Sequence, residues 1–169
     1  SKKFLLNLGE NKNKIFLTGC PSIDILKKEK LNIKKDFIQK INNTKTNGNL
    51  NFDQKYIVLM QHPVTTEYLN AKSQIKETIK AAMELVKQNY QILWLWPNID
   101  AGSDIFSKEI KKFREKNKKI KNILFYKNFS PEEYAVILNN CSCIVGNSSS
   151  GIREASYLGI PSVNIGKDK

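Results

Sequence analysis

Residues 56–96, YIVLMQHPVTTEYLNAKSQIKETIKAAMELVKQNYQILWLW, decide how this chain folds. They open on five apolar residues in a row, Tyr56-Ile57-Val58-Leu59-Met60. A continuous apolar run suits a strand buried on both faces, whereas a strand with one wet face alternates. Ile75, Ile79, Ala82, Met83 and Val86 then recur at three- and four-residue spacing, so residues 73–88 form an amphipathic helix. Ile92-Leu93-Trp94-Leu95-Trp96 supplies a second buried strand. Strand, helix and strand of these lengths make one unit of a parallel sheet.

The same alternation continues toward the carboxyl end. Residues 103–118 read as a helix and Ile123-Leu124-Phe125-Tyr126 as a strand. Ser130-Pro131-Glu132-Glu133 then offers an N-cap serine, a proline at the first helical position and a capping-box glutamate, which starts a helix running to about Asn140. Cys143-Ile144-Val145 is a short strand, residues 152–158 a helix closed by Gly159, and residues 161–165 a last strand. The fold class is therefore α/β, a doubly wound, Rossmann-like parallel sheet. Toward the amino end the signal fades. Residues 27–53 are polar and lysine-rich with an Asn/Thr/Gly cluster at 42–51, which reads as a helix followed by a loop or linker. Before them, Phe4, Leu5 and Leu8 mark a short helix, Gly9 a turn, and Ile15-Phe16-Leu17-Thr18 a strand-like run. This opening stretch cannot form a core alone and reads as the tail of something larger, with a domain boundary near residue 30.

With 169 residues, 40% of them hydrophobic, the chain can bury one core, so one main domain plus an attached fragment is expected. No apolar run approaches the roughly 20 residues that span a bilayer. The opening Ser1-Lys2-Lys3-Phe4 lacks the apolar stretch and cleavage site of a signal peptide. A soluble, cytoplasmic protein with no membrane partner is the expectation. Cys20, Cys141 and Cys143 make an odd count, and a single histidine accompanies them, which supports free buried thiols over a disulfide framework or a zinc site. The net charge of +12 raises nucleic acid as a partner. Against it, the lysines are spread over helix faces and turns, with no aromatic platform among them, and the chain is also rich in Asn and Ile. That is a composition bias, and no nucleic-acid partner is expected. A positive field would still favour an anionic nucleotide.

In open parallel sheets the ligand crevice lies beyond the carboxyl ends of the strands. After the first strand comes Gln61-His62-Pro63-Val64-Thr65-Thr66-Glu67, with the single histidine. After the second comes Pro97-Asn98-Ile99-Asp100-Ala101-Gly102-Ser103-Asp104, after the third Lys127-Asn128-Phe129-Ser130, and after the fourth Gly146-Asn147-Ser148-Ser149-Ser150-Gly151. The fourth junction is the most informative. Its small residues let backbone approach a ligand, and the helix that leaves it would offer unpaired amides to a diphosphate. It is neither a Walker loop nor a G-x-G-x-x-G, so its spacing alone says only that an anion fits a helix start. Glu154 either compensates the helix dipole or accepts hydrogen bonds from ribose hydroxyls. His62 is either a structural residue or one that pairs with phosphate or moves a proton. Asp100 and Asp104 are either catalytic acids or parts of a turn and cap.

Four segments, T-G-C-P-S-I-D at 18–24, M-Q-H-P-V-T-T-E at 60–67, W-P-N-I-D-A-G-S-D at 96–104 and V-G-N-S-S-S-G-I-R-E-A at 145–155 leading into P-S-V-N-I-G, give the chain its family likeness. In order and spacing it resembles the hydrolysing UDP-N-acetylglucosamine 2-epimerases of sialic- and nonulosonic-acid synthesis. The resemblance implies the C-terminal half of a glycosyltransferase-B-like fold of two Rossmann-like domains. Residues 1–30 would be the end of the N-terminal domain and the hinge, and 31–169 the UDP-binding domain, cut short at its C-terminus. It further implies that His62, the catalytic candidate, and Asn98 face the nucleotide-sugar cleft, that Ser148 and Ser149 contact the diphosphate beside Gly151, that Glu154 holds the ribose, and that Phe129 lies near the uracil. The implied reaction removes the proton at sugar carbon 2, expels UDP to leave a glycal-like intermediate, and adds water to give free N-acetylmannosamine. That scheme needs no metal or other cofactor. The partner is a UDP-sugar, and the intact protein would share the family's habit of forming homo-oligomers. The chain departs from the family in extent, lacking the preceding domain with its main catalytic carboxylates and a closing R-E-x-G-E-N-like segment, so binding without turnover is expected of it alone. Two enzymes of similar architecture stay open as alternatives: a UDP-sugar glycosyltransferase, and a non-hydrolysing 2-epimerase that releases UDP-N-acetylmannosamine.

Overall fold

A computed structural model of the chain describes residues 2–28, 31–43, 48–98 and 101–166. The apolar runs pair as one sheet of five strands: β1 (Tyr56–Met60), β2 (Gln91–Leu95), β3 (Ile123–Tyr126), β4 (Cys143–Gly146) and β5 (Ser162–Asn164). The order across the sheet is β3-β2-β1-β4-β5, and every neighbouring pair is parallel. The order reverses at β1, which separates β2 from β4 and places a topological switch point at its carboxyl end.

Strand period two divides the core into two layers. Tyr56, Val58, Leu93, Leu95, Leu124 and Ile144 point to one face, where α3 (Lys35–Asn42), α6 (Pro131–Asn140) and α7 (Glu154–Leu158) bury Ile41, Ile137, Leu138 and Ala155 against them. Ile57, Leu59, Ile92, Trp94, Ile123 and Phe125 point to the other, under α4 (Ala71–Lys87) and α5 (Ser103–Lys116), which contribute Ile75, Ala82, Phe106 and Ile110. Trp94 is fully buried and stacks on Phe125 with ring centroids 5.4 Å apart. This is the doubly wound arrangement read from the sequence. The cap of α6 is also as read: the Ser130 hydroxyl accepts from the Glu133 amide, and the Glu133 carboxylate accepts from the Ser130 amide. Lys40 also donates to Glu133, and that bond is the main reason its carboxyl is held below the usual range.

The amino-terminal stretch differs from expectation. Helix α1 (Lys2–Asn7) is present with Phe4, Leu5 and Leu6 exposed, but residues 15–18 form no strand, and Phe16 and Leu17 are about as exposed as side chains become. An apolar run becomes a strand only where a neighbour takes up its backbone groups, and no strand lies beside this one among the described residues. Helix α2 (Pro21–Lys28), within the stretch expected to be a tail and linker, packs against α6 and α7 and buries Leu26. At the other end α7 starts at Glu154, two residues later than expected, because residues 149–151 tighten into a 3-10 turn. The three cysteines are free, with Cys141 buried and Cys20 and Cys143 half-buried. Among the described residues, no helix is long and apolar enough to cross a membrane.

Candidate functional site

The loops that follow β1, β2, β3 and β4 gather at the carboxyl edge, as the strand order requires. The first three enclose a cleft of about 180 Å³ lined by Met60, His62, Trp96, Asn98, Phe129 and Tyr134, among others. His62, Asn98 and Phe129, taken from three separate loops of the sequence, thus line one cleft. Phe129 packs on Tyr126 at 5.0 Å between ring centroids, so its ring is supported from the β3 side. Asn98 is exposed, and its backbone amide donates to Nδ1 of His62 at 3.1 Å. Asp100 lies outside the described residues. Asp104 sits exposed in the first turn of α5, whose N-cap is Gly102, so it stands as a helix-start carboxylate.

The serine turn after β4 forms the adjoining part of the edge. Ser148 caps the 3-10 turn, its hydroxyl accepting from the Ser150 amide. Ser149 accepts from the Arg153 guanidinium at 2.9 Å. The sequence suggested a helix start with unpaired amides, but the amides of Gly151, Ile152 and Arg153 already donate to carbonyls of Ser148 and Ser149. The amides of Ser148 and Ser149 make no such bond among the described residues. What the turn presents is therefore hydroxyls and two amides, and α7, at five residues, adds little dipole. Gly151 has a reason of its own: a Cβ there would meet the Ser162 hydroxyl at 2.5 Å, so its smallness serves packing against β5.

Glu154 is the charged centre of this region. Its residue is 9% exposed, and Oε2 is buried with no hydrogen-bond partner among the described residues. Arg153 approaches the other oxygen only to 3.9 Å. Beside it the Tyr134 and Ser150 hydroxyls share a hydrogen bond of 2.7 Å. Burial pushes the Tyr134 phenol up to about 12, with the Glu154 charge adding to the rise and the Ser150 bond opposing it, so Tyr134 stays a neutral hydroxyl. A buried carboxylate oxygen left without a donor costs its desolvation without the return of a hydrogen bond.

Two side chains that the sequence reading passed over join the two parts. Tyr134 lines the cleft and reaches Ser150 in the turn. Asn147 links the ends of β4 and β1 through its side-chain amide, which pairs with both backbone groups of His62. Only their positions, one in the first turn of a capped helix and one between Gly146 and Ser148, hinted at them. On the opposite face a larger groove of about 460 Å³ runs between α4 and the ends of β1, β4 and β5, lined mainly by Leu59, Val64, Ala81, Leu85, Val145 and Ile165.

Comparison with known proteins gives this edge its context. A family model described as UDP-N-acetylglucosamine 2-epimerase matches residues 1–168. The UDP-N,N'-diacetylbacillosamine 2-epimerase (hydrolyzing) of Legionella pneumophila is 30% identical over 166 residues, covering 98% of this chain and 40% of that protein. The UDP-N-acetylglucosamine 2-epimerase of Neisseria meningitidis is 30% identical over 162 residues, covering 96% and 39%. Among solved structures, Methanocaldococcus jannaschii UDP-GlcNAc 2-epimerase in complex with UDP-GlcNAc and UDP superposes with a TM-score of 0.65 at 20% identity, over 96% of this chain and 42% of that one. The fold is thus that of the Rossmann-like half of a glycosyltransferase-B-like enzyme, and the chain spans about 40% of the length of the curated relatives it matches. A model match over nearly the whole chain, together with relatives at 30% identity, assigns it: this polypeptide belongs to the UDP-N-acetylglucosamine 2-epimerase family.

Proposed function

We propose that this chain supplies the nucleotide-binding half of a hydrolysing UDP-N-acetylglucosamine 2-epimerase, acting on UDP-N-acetylglucosamine or a 4-acetamido-6-deoxy relative. The observation that carries this reading is the nearly buried Glu154 carboxylate, one oxygen of which has no hydrogen-bond partner among the described residues, beside a turn of serine hydroxyls. Ribose hydroxyls are donors of the right kind for a carboxylate in this place. In this arrangement Ser148 and Ser149 contact the diphosphate, Phe129 lies near the uracil, and His62 and Asn98 face the sugar side of the cleft. Residues 1–30 connect to the remainder of the enzyme, with α2 seated on α6 and α7.

In the reaction, a base takes the proton from sugar carbon 2 while the bond from carbon 1 to the diphosphate oxygen breaks. The electron pair from the first bond forms the carbon–carbon double bond, and that of the second leaves with UDP. Donors already in place around the diphosphate stabilise the charge that collects there, which is where fixed dipoles act most strongly. Water then adds across the double bond, its hydroxyl at carbon 1 and its proton at carbon 2 on the opposite face, to release the free 2-epimer.

The reaction class is tested by product. A polypeptide carrying these residues at the relatives' full length, given UDP-N-acetylglucosamine with no acceptor and no added metal, is expected to yield free N-acetylmannosamine and UDP in equal amounts by proton NMR. UDP-N-acetylmannosamine as the end product would instead identify the non-hydrolysing reaction, and release of UDP only on addition of an acceptor would identify a glycosyltransferase.

A further inference from the structure

The cleft and the serine turn meet at one side chain, Tyr134. It is the fourth residue of α6, and the start of that helix is set firmly: Ser130 and Glu133 close the capping box, and the Tyr134 amide donates to the Ser130 carbonyl at 2.9 Å. The ring packs against the core layer and lines the cleft together with Phe129, while the hydroxyl reaches the Ser150 hydroxyl at 2.7 Å. A tyrosine has two side-chain torsions, so a ring wedged at both faces carries its hydroxyl to one place. Ser150 is the buried member of the turn, 7% exposed, whereas Ser148 is half-buried and Ser149 exposed. Of the three serines' side-chain bonds among the described residues, the one to Tyr134 alone leaves the turn and the helix that follows it.

The two outer hydroxyls are oriented from within. The Ser150 amide donates to the Ser148 hydroxyl at 3.3 Å, and the Arg153 guanidinium donates to the Ser149 hydroxyl at 2.9 Å. A hydroxyl that accepts an N–H keeps its own hydrogen to give, and chained bonds of this kind strengthen the outer donor. We infer that Tyr134 is a positioning residue for the serine turn: through Ser150 it sets where the Ser148 and Ser149 hydroxyls stand relative to the cleft, and so couples the subsite for the base to the subsite for the diphosphate. This coupling rests on the proposed nucleotide-sugar site. The base lies in the cleft that the ring lines, and the far end of the same ring holds the turn that receives the diphosphate. Tyr134 itself touches no phosphate. Loss of its hydroxyl leaves the ring and the cleft wall in place, so a ligand without phosphate is indifferent to it, whereas a ligand with a diphosphate meets a turn that is no longer held.

Amide proton–nitrogen NMR titrations of the chain with UDP and with uridine, run on the wild type, Tyr134→Phe, Ser150→Ala and the double variant, test this pattern. The wild type is expected to bind UDP more tightly than uridine. Tyr134→Phe is expected to lower that preference by about 2- to 12-fold, the range for one net hydrogen bond, with the affinity for uridine unchanged. Ser150→Ala is expected to do the same, and it carries the test where the first variant does not fold. The double variant is expected to lose no more than either single one, because both remove one bond. An unchanged preference in a folded variant, an equal loss toward both ligands, or losses that multiply in the double variant would overturn the inference. Loss of folding in both single variants would make the bond a structural one and overturn it too. The underlying site fails differently: a wild type that binds neither ligand, or holds UDP no more tightly than uridine, removes the diphosphate site and the coupling with it.

Discussion

Replacing Gly146 by alanine is expected to abolish cooperative folding of the domain. Gly146 has φ of 151°, in a region that side chains with a Cβ rarely occupy. A Cβ built there would fall inside the Met60 carbonyl group, and the obstacle is backbone in the middle of the sheet. Moving it means separating β1 from β4, the pair that holds the switch point and the site. Backbone strain alone costs about 1–3 kcal/mol. Loss of the β1–β4 register adds more, against a total stability of about 5–15 kcal/mol for a domain of this kind. Thermal unfolding followed by circular dichroism checks it. The variant should show no sigmoidal transition, and a melt within a few degrees of the wild type would mean that the β4 turn relaxes in a way this geometry excludes.

Glu154→Gln is expected to separate binding from stability. The side chain is nearly buried and, among the described residues, one carboxylate oxygen has no donor, so in the unliganded chain its burial is not fully compensated. An amide of the same shape removes that cost, and stability should stay level or rise. Toward UDP the effect runs the other way, because a hydrogen bond to a charged acceptor is worth about 1.5–3 kcal/mol, which corresponds to roughly 10- to 150-fold in affinity. Calorimetric titration with UDP beside a thermal melt gives both quantities. Loss of stability together with unchanged affinity would make Glu154 a structural acid and undo the ribose assignment.

Much of the fold could be read in advance because its signals are local. β1, β2 and β3 are apolar runs whose burial the sequence states outright, and the α6 cap is complete within Ser130 and Glu133. What was not legible depends on partners distant in sequence. Residues 15–18 have a strand's composition but no neighbouring strand, and α2 is held by α6 and α7, more than 100 residues further along. The candidate site divides in the same way. The rule that ligands bind beyond strand ends points to the loops that carry His62, Asn98 and Phe129, and within those loops the family resemblance singles out Asn98 and Phe129. Asn147 and Tyr134 are not reached that way, because their roles arise only when β4 lies beside β1 and α6 lies over the serine turn. Gly151 carries the complementary lesson: a glycine in a polar turn suggested room for a ligand, and the space is taken by Ser162.

The central claim is that the carboxyl edge binds UDP, and a titration of the isotope-labelled 169-residue chain with UDP, followed residue by residue in amide proton–nitrogen spectra, tests it most directly. The account predicts saturable shifts clustered at His62, Asn98, Phe129, Ser148, Ser149 and Glu154. Shifts spread over the lysines of α5, or none at saturating nucleotide, would contradict it.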